Sequence, residues 1–442
     1  MRVAIAAAFL VLAGFAGGAT FELTRDRPGV AAEPPARPSP QQLAWHDLEV
    51  GMFIHLAPQT WQDSETEKMT TPLSDINPEK LDTDQWARVA ESMGAKYIVF
   101  VAKHEGGFCW WQTQTTDFGV RNTPWRGGKG DVLRDLSASC RRRGLKLGVY
   151  LSPQDVTHGV GIGGRAKNPA GQAAYEQVFR QQLTEVLSRY GEMAEVWFDG
   201  SLIFDVGDIL ARHAPNAVVF QGPQASIRWV GNEDGVAPYP AWNSVPYPKP
   251  GVEWGNYTAK DGDPDGNRWL PNECDARIRA TWFWRTNNEP TLKSVDRLMD
   301  MYYRSVGHGA VLLLNNTPDR TGLIPTTDAK RSAEFGAEIR RRFGRPLAEA
   351  RGRGLELVAR LARPSVVDHI VSMEEIAEGK RVRAYVVEGL AGGAWKPLCA
   401  GTAIGHKKID RITPTEVEAL RLRITSSAGA PRIRRLAAFR AF

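Results

Sequence analysis

Apolar and polar positions follow two regimes along this chain. From about residue 45, short apolar runs such as VGMFIHL, AKYIVFVAKH, LKLGVYLSP, EVWFDG, AVVFQG and AVLLLNNTP alternate with amphipathic stretches. Trp86, Val89, Ala90 and Met93 recur at helical spacing and predict a helix over 83–93. A second helix is predicted over 131–143, stopped by Gly144. A third, over 175–190, gathers Tyr175, Val178, Phe179, Leu183, Val186, Leu187 and Tyr190 on one face, and a fourth spans 292–306. Strands that are apolar on both faces, alternating with helices, predict a parallel sheet covered by helices. The length and repetition favour a (β/α)8 barrel over an open doubly wound sheet. No glycine-rich phosphate loop follows the first strand, which argues against a nucleotide fold. After about Gly344 the runs become short and β-rich, as in VVDHIVSMEEI, RVRAYVVEGL and EALRLRITSS, with Gly and Pro between them. The expected organisation is a barrel over 45–346 followed by a β-sandwich over 347–442.

The N-terminus adds a compartment. MRVAIAAAFLVLAGFAGGAT sets one Arg before an apolar stretch that ends in small residues, the layout of a signal peptide over 1–19 cleaved after Ala19. Residues 20–44 are Pro-rich and polar and read as a linker. A secreted or periplasmic protein is expected, with no membrane association beyond the signal peptide. The 442 residues are 42% hydrophobic and 24% charged, with a formal charge of +6. No basic run or aromatic-interleaved basic helix occurs, so nucleic acid is not an expected partner. Cys109, Cys140, Cys274 and Cys399 show neither CxxC nor Cys/His metal spacing. No metal or cofactor is expected, and isolated thiols are the default.

Barrel geometry then directs attention to the C-terminal ends of the strands, where working residues project. Four successive strand ends carry polar groups beside aromatics: His55; Lys103, His104 and Glu105; Tyr150; and Asp199. Asp199, between Phe198 and Gly200, is a costly place for a carboxylate unless it is paired or used. Its alternatives are a nucleophile, a general base or a local capping residue. Paired-carboxylate chemistry needs a second acid, for which Glu233, Glu273 and Asp275 are candidates. Retaining glycosidases hold two such carboxyls about 5 Å apart. Trp110, Trp111, Trp282, Phe283 and Trp284 either stack on sugar faces or pack the core.

Several ordered segments together resemble glycoside hydrolase family 29, the α-L-fucosidases, in particular the α-1,3/1,4-preferring and plant-type branch. They include GMFIHLAPQTWQDSE, GFCWW, WRGGKGDV, GLKLGVYLSPQD, EVWFDG, IRWVGNE, ECDARIR and SVGHGAVLLLNNTPDRTGL, and they span about residues 45 to 442. The resemblance implies an irregular (β/α)8 barrel with a C-terminal β-sandwich and retaining hydrolysis of fucosides. It implies Asp199 as nucleophile and Glu233 as acid/base, with Glu273 as an alternative acid/base. It implies His55, Glu65 and His104 as sugar-binding residues; Glu105, Trp111, Tyr150 and Trp282 complete the expected substrate site.

The departures from the family pattern are local. Glu105 replaces the second His of the Lys-His-His-Asp-Gly-Phe motif and Gly106 its Asp; Thr66 replaces the Trp of a Glu-Trp pair; Gln154 replaces a Trp after Ser-Pro. A carboxylate in place of an imidazole donor would alter hydroxyl recognition. Three readings follow: a secreted α-L-fucosidase, a related glycosidase of shifted sugar specificity, or a carbohydrate-binding protein weak in turnover.

Overall fold

The structure, a computed structural model, describes residues 35–442. The signal peptide expected over 1–19 and most of the Pro-rich stretch lie outside the described residues. Eight parallel strands form the first sheet: β1 (Val50–Ile54), β2 (Tyr97–Lys103), β3 (Lys146–Leu151), β4 (Met193–Trp197), β5 (Val218–Phe220), β6 (Arg228–Trp229), β7 (Asn272–Arg277) and β8 (Val311–Asn315). Their order is β5-β4-β3-β2-β1-β8-β7-β6, and a parallel bridge from Phe220 to Ile227 joins the two edges. The result is a nearly closed barrel whose strands follow chain order.

Period-two alternation sorts the strand side chains. Phe53, Tyr97, Val99, Val101, Tyr150, Trp197, Phe220 and Leu313 pack inside the barrel. Met52, Ile54, Ile98, Phe100, Val149, Val196 and Leu312 face the surrounding helices. Helices follow β1 (Thr83–Met93), β2 (Val132–Arg143), β3 (Pro169–Arg189), β4 (Gly207–His213), β7 (Val295–Arg304) and β8 (Thr326–Phe343). No helix separates β5 from β6. Between β6 and β7 the chain makes a loop excursion holding a short antiparallel pair, Ser244–Val245 with Arg268–Trp269, and a small core of Val245, Tyr257 and Leu270. The barrel is therefore irregular on this side.

One expectation needs correcting. The stretch read as linker through residue 44 is helical from Pro40, as part of Pro40–His46. Ser39 and Gln42 form a reciprocal capping box, and Pro40 occupies the first turn, where its missing N–H costs nothing. The helix docks because Gln42 donates to the carbonyls of Ser226 and Trp269, while Trp45 plugs the lower end of the barrel interior. Burying one such aromatic contributes roughly 1.5–3 kcal/mol, enough to hold a short segment that composition alone assigns to a linker.

The C-terminal unit is all-β. Its strands, β9 (Ala348–Arg353), β10 (Glu356–Glu374), β11 (Val382–Ala391), β12 (Ala394–Gly401), β13 (Lys408–Ser427) and β14 (Arg432–Phe439), join in one antiparallel sheet ordered β9-β14-β10-β13-β11-β12. Register shifts interrupt the two longest, β10 and β13. One face forms its own core with Leu420, Leu422, Ile424, Leu436 and Ala438. The alternate residues Ala437 and Phe439, with Val371, Met373 and Ile409, join the barrel's outer core. Hydrogen bonds from Tyr303 to His369 (2.8 Å) and from Lys380 to the Ala241 carbonyl (2.7 Å) tie the sheet to the barrel. No described helix is long and apolar enough to cross a membrane.

Candidate active site

A bulge in β2 decides what its C-terminal end presents. Tyr97, Val99 and Val101 point inward, so simple alternation sends Lys103 inward too. The pairing with β3 slips between Val101 and Lys103, and Lys103 turns outward instead. There it is fully buried, with Asp155 at 3.0 Å, Tyr175 at 3.2 Å and Gln182 at 2.8 Å. Burial is the largest influence on Lys103 and opposes its charge, but Asp155, Tyr175 and Cys109 together hold the ammonium above its ordinary range. Lys103 is thus scaffold, and the next residue, His104, reaches the barrel mouth.

That mouth is a cavity of about 360 Å3 lined by Phe53, His55, Glu65, His104, Tyr150, Trp197, Asp199, Gly200, Phe220, Gln221, Trp229, Glu233, Asp275, Trp282 and Phe283. A larger cavity of about 510 Å3 opens at the opposite end of the barrel, beside Trp45, Cys140 and Tyr190. Its single carboxylate, Glu192, is bonded to Asn216 at 2.9 Å. Of these two cavities, it is the C-terminal mouth, where barrel geometry places chemistry, that brings several carboxyls and two imidazoles together.

Asp199 sits just past β4, walled in by protein with its carboxylate exposed to the cavity. The Tyr150 hydroxyl donates to its Oδ2 at 3.0 Å. Loss of solvation raises the Asp199 pKa; the Tyr150 and Gly200 hydrogen bonds oppose that rise, and the Glu233 charge adds to it. Glu233 lies on the loop after β6, which a bridge from Asp234 to Ala276 holds against β7. Its carboxylate is half-exposed and pairs with Arg277 at 3.3 Å. The Arg277 guanidinium in turn lies 5.3 Å from the Trp282 ring centre. Asp275, a second-acid candidate from the sequence, is also in the wall. It accepts from the Trp229 indole at 2.7 Å, and burial, with the nearby Glu273 charge, pushes its pKa well up.

Two histidines present opposite hydrogen-bonding faces. Asn315 donates its Nδ2 to the Trp282 carbonyl at 2.9 Å, so its Oδ1 accepts from His55 Nδ1 at 2.8 Å. His55 Nε2 is then an acceptor toward the cavity. Gln59 donates to His104 Nδ1 at 3.0 Å, which leaves His104 Nε2–H as a donor. Burial drives both rings to the neutral form, His104 down to about 4 and His55 well below its usual value, with the His104 charge a further cause for His55. Aromatic rings close the wall: His104 stacks on Tyr150 at 5.6 Å, Tyr150 on Trp197 at 5.4 Å, and Trp197 on Phe220 at 3.7 Å. Glu65 accepts from the Trp282 N–H at 2.9 Å and from Arg285 at 3.2 Å, and so orders the Trp282 loop.

The structure therefore gathers Asp199, Glu233, His55, Glu65, His104, Tyr150 and Trp282 around one cavity. It does not gather the other three. Trp111 is buried behind the wall, its indole bonded to Glu185 at 2.9 Å. Glu273 is fully buried inside the barrel below the cavity, bonded to the Trp197 indole at 2.7 Å, and has no open path to a leaving group. Glu105 is half-buried and does not line the cavity; it accepts the Glu67 N–H at 3.1 Å, close enough for its charge to act on Asp199 and Tyr150. A side chain at Gly106 would meet Glu67 at 2.6 Å, so Glu105, Gly106 and Glu67 form one local arrangement. Thr66 is exposed on the same loop and outside the cavity wall. Gln221 is a wall residue that the sequence reading left out. It follows β5, holds a left-handed φ of 61° and accepts the Ser201 N–H at 3.1 Å. The same strand-end rule applied to AVVFQG points to it.

If Glu105 only orders its loop, Glu105→Ala should change kcat/KM by less than about fivefold, the equivalent of one ordinary hydrogen bond of about 1 kcal/mol. Steady-state kinetics on an aryl glycoside check this, and a larger loss would return Glu105 to the substrate site.

Comparison with known proteins supplies the family. The alpha-L-fucosidase family model matches residues 59–341. Alpha-L-fucosidase 1 of Arabidopsis thaliana is 31% identical, over 90% of this chain and 86% of that protein. A glycoside hydrolase 29 family member from an unknown rumen bacterium is 32% identical with a TM-score of 0.83, over 92% of this chain and 78% of that one. A Ruminococcus gnavus GH29 fucosidase, solved in complex with fucose, is 26% identical with a TM-score of 0.81, over 93% of this chain and 97% of that one. The chain belongs to the α-L-fucosidase family, glycoside hydrolase family 29.

Proposed function

We propose that this glycoside hydrolase is a retaining exo-α-L-fucosidase acting on oligosaccharides or glycoconjugates, with Asp199 as nucleophile and Glu233 as acid/base. The observation that carries the reading is the placing of two carboxylates, at the ends of β4 and β6, in the wall of one sugar-sized cavity. Asp199 attacks the anomeric carbon as the glycosidic C–O bond breaks, and Glu233 gives its proton to the departing oxygen. Glu233 then takes a proton from water, which attacks the same carbon and releases Asp199. His55 and His104 supply one acceptor and one donor to ring hydroxyls, while Trp282, Phe283 and Phe220 offer apolar faces to the sugar.

The related fucose complex supports fucose as the sugar. The departures at Glu105 and Thr66 argue less for a shifted sugar than their sequence positions imply, since both stand outside the cavity wall. The test is hydrolysis of p-nitrophenyl α-L-fucoside followed by proton NMR. We expect the α-anomer of L-fucose to form first. The β-anomer first would overturn retention, and binding without hydrolysis of any glycoside would leave a carbohydrate-binding protein. We further propose export, on the strength of the N-terminal segment alone; N-terminal sequencing of the processed protein after Ala19 would bear it out.

A further inference from the structure

Two carboxyls inside the barrel have no part in this chemistry. Glu195 on β4 and Glu273 on β7 are both completely buried below the cavity. Around them are indole and phenol donors: Trp197 Nε1 donates to Glu273 Oε1 at 2.7 Å, Tyr97 OH to Glu273 Oε2 at 3.3 Å, and Trp45 Nε1 to Glu195 Oε2 at 2.8 Å. Glu195 Oε1 has no donor. Among the described residues, neither carboxyl is ion-paired with a cation. The Glu195 and Glu273 carboxyls lie within side-chain hydrogen-bonding reach of each other, and two ionised carboxylates there would each be desolvated and would repel the other. One proton between them removes a charge and supplies the donor that Glu195 Oε1 lacks. Each carboxyl already accepts an indole N–H, Glu195 from Trp45 and Glu273 from Trp197, so the proton is shared by the pair.

We propose that Glu273 and Glu195 form a one-proton pair, and that the pair fixes the Trp197 indole as the inner wall of the sugar cavity. Burial raises both carboxyls, and the Glu195 charge raises Glu273 further, in line with one proton held by the pair. The consequence reaches the chemistry in two steps. Trp197 is clamped between Phe220 and Tyr150, and Tyr150 holds Asp199. Glu273 is thus a positioning residue acting through Trp197. Because Trp45 belongs to the helix Pro40–His46, the pair also connects the floor of the barrel to its mouth. This role rests on the cavity being the catalytic one.

Substrate-free infrared difference spectra, wild type minus Glu273→Gln, test the proton. We expect a neutral-carboxyl band in the wild type that the variant lacks. Its persistence in Glu273→Gln would place the proton outside the pair and overturn the proposal. Kinetics test the positioning. Gln keeps an acceptor for Trp197 and a donor for Glu195, so Glu273→Gln should stay within about fivefold of wild type, one ordinary hydrogen bond. Glu273→Leu removes the acceptor and should lower kcat/KM by roughly 10- to 100-fold, the size of effect that misplaced active-site groups produce. Trp197→Phe should lower it comparably, and Glu273→Leu combined with Trp197→Phe should add little to either. Additive losses, or a Gln variant as poor as the Leu variant, would overturn action through Trp197. The infrared result does not depend on turnover, so a failure of the fucosidase reading and a failure of the proton pair remain distinguishable.

Discussion

Asp199→Ala should reduce turnover of aryl α-L-fucosides by at least about 10^4-fold, the scale seen when a covalent nucleophile is removed from an otherwise intact site. The fold should survive, because Asp199 has its carboxylate exposed to the cavity and is held there chiefly by one hydroxyl. Azide should restore cleavage of an activated substrate by entering the space the carboxylate leaves. It attacks from the nucleophile's face, so the product should be the β-fucosyl azide, inverted relative to substrate. Retained turnover in Asp199→Ala, or an α-azide product, would remove Asp199 from the nucleophile role. The pH profile gives an independent check. The nucleophile must be ionised, and desolvation raises Asp199 while the Tyr150 hydroxyl partly offsets the rise. The acidic limb of kcat/KM should therefore lie above the usual aspartate value. Tyr150→Phe deletes a hydrogen bond that favours the charged form. That limb should then move to higher pH, and a downward move would contradict the assigned interaction.

How much of this was legible before the fold was known depends on what kind of signal each residue leaves. His55, Tyr150 and Asp199 end apolar strands, and a barrel places strand ends at one mouth, so sequence position predicts their meeting. His104 was found by the same rule, but Lys103 and Glu105 show its limit. The slip between Val101 and Lys103 turns Lys103 outward toward Asp155, and no residue pattern in YIVFVAK announces it. Glu105 looked like a specificity change because a family motif was read as a line. In three dimensions it belongs with its neighbour Gly106 and with Glu67, which comes from the segment after β1. Trp111 and Glu273 illustrate a second difficulty. An aromatic or an acid near a strand end is chemically suited both to a sugar site and to a satisfied interior contact. Only the partners decide, Glu185 for Trp111 and Trp197 for Glu273. The helix Pro40–His46 shows a third. Composition marked it as linker, while its capping box and a single docked Trp make it the base of the barrel.

Glu233→Ala should separate the two halves of the reaction. The residue's ion pair with Arg277 is half-exposed, so its loss costs at most about 1 kcal/mol of stability, and the variant should fold. A positioned general acid contributes about 10^2- to 10^4-fold to a step that needs proton transfer. Natural fucosides leave as poorly acidic alcohols and should suffer the full loss. A nitrophenolate departs without protonation, so formation of the fucosyl-enzyme from p-nitrophenyl fucoside should be nearly unimpaired. Its hydrolysis still needs the base, and the intermediate should accumulate as a burst of nitrophenol followed by slow release. Azide requires no deprotonation and should relieve the second step, yielding the α-fucosyl azide with retained configuration. The opposite azide stereochemistry of Asp199→Ala and Glu233→Ala is the strongest discriminator available, because each product records which face of the sugar was opened. Asp275 supplies the contrast. It shares the cavity and its carboxyl is pushed up by burial, as an acid's should be. Yet its Oδ1 is already bonded to the Trp229 indole. If Glu233→Ala lost activity equally on good and poor leaving groups, while Asp275→Asn lost it only on poor ones, the acid role would pass from the loop after β6 to the end of β7.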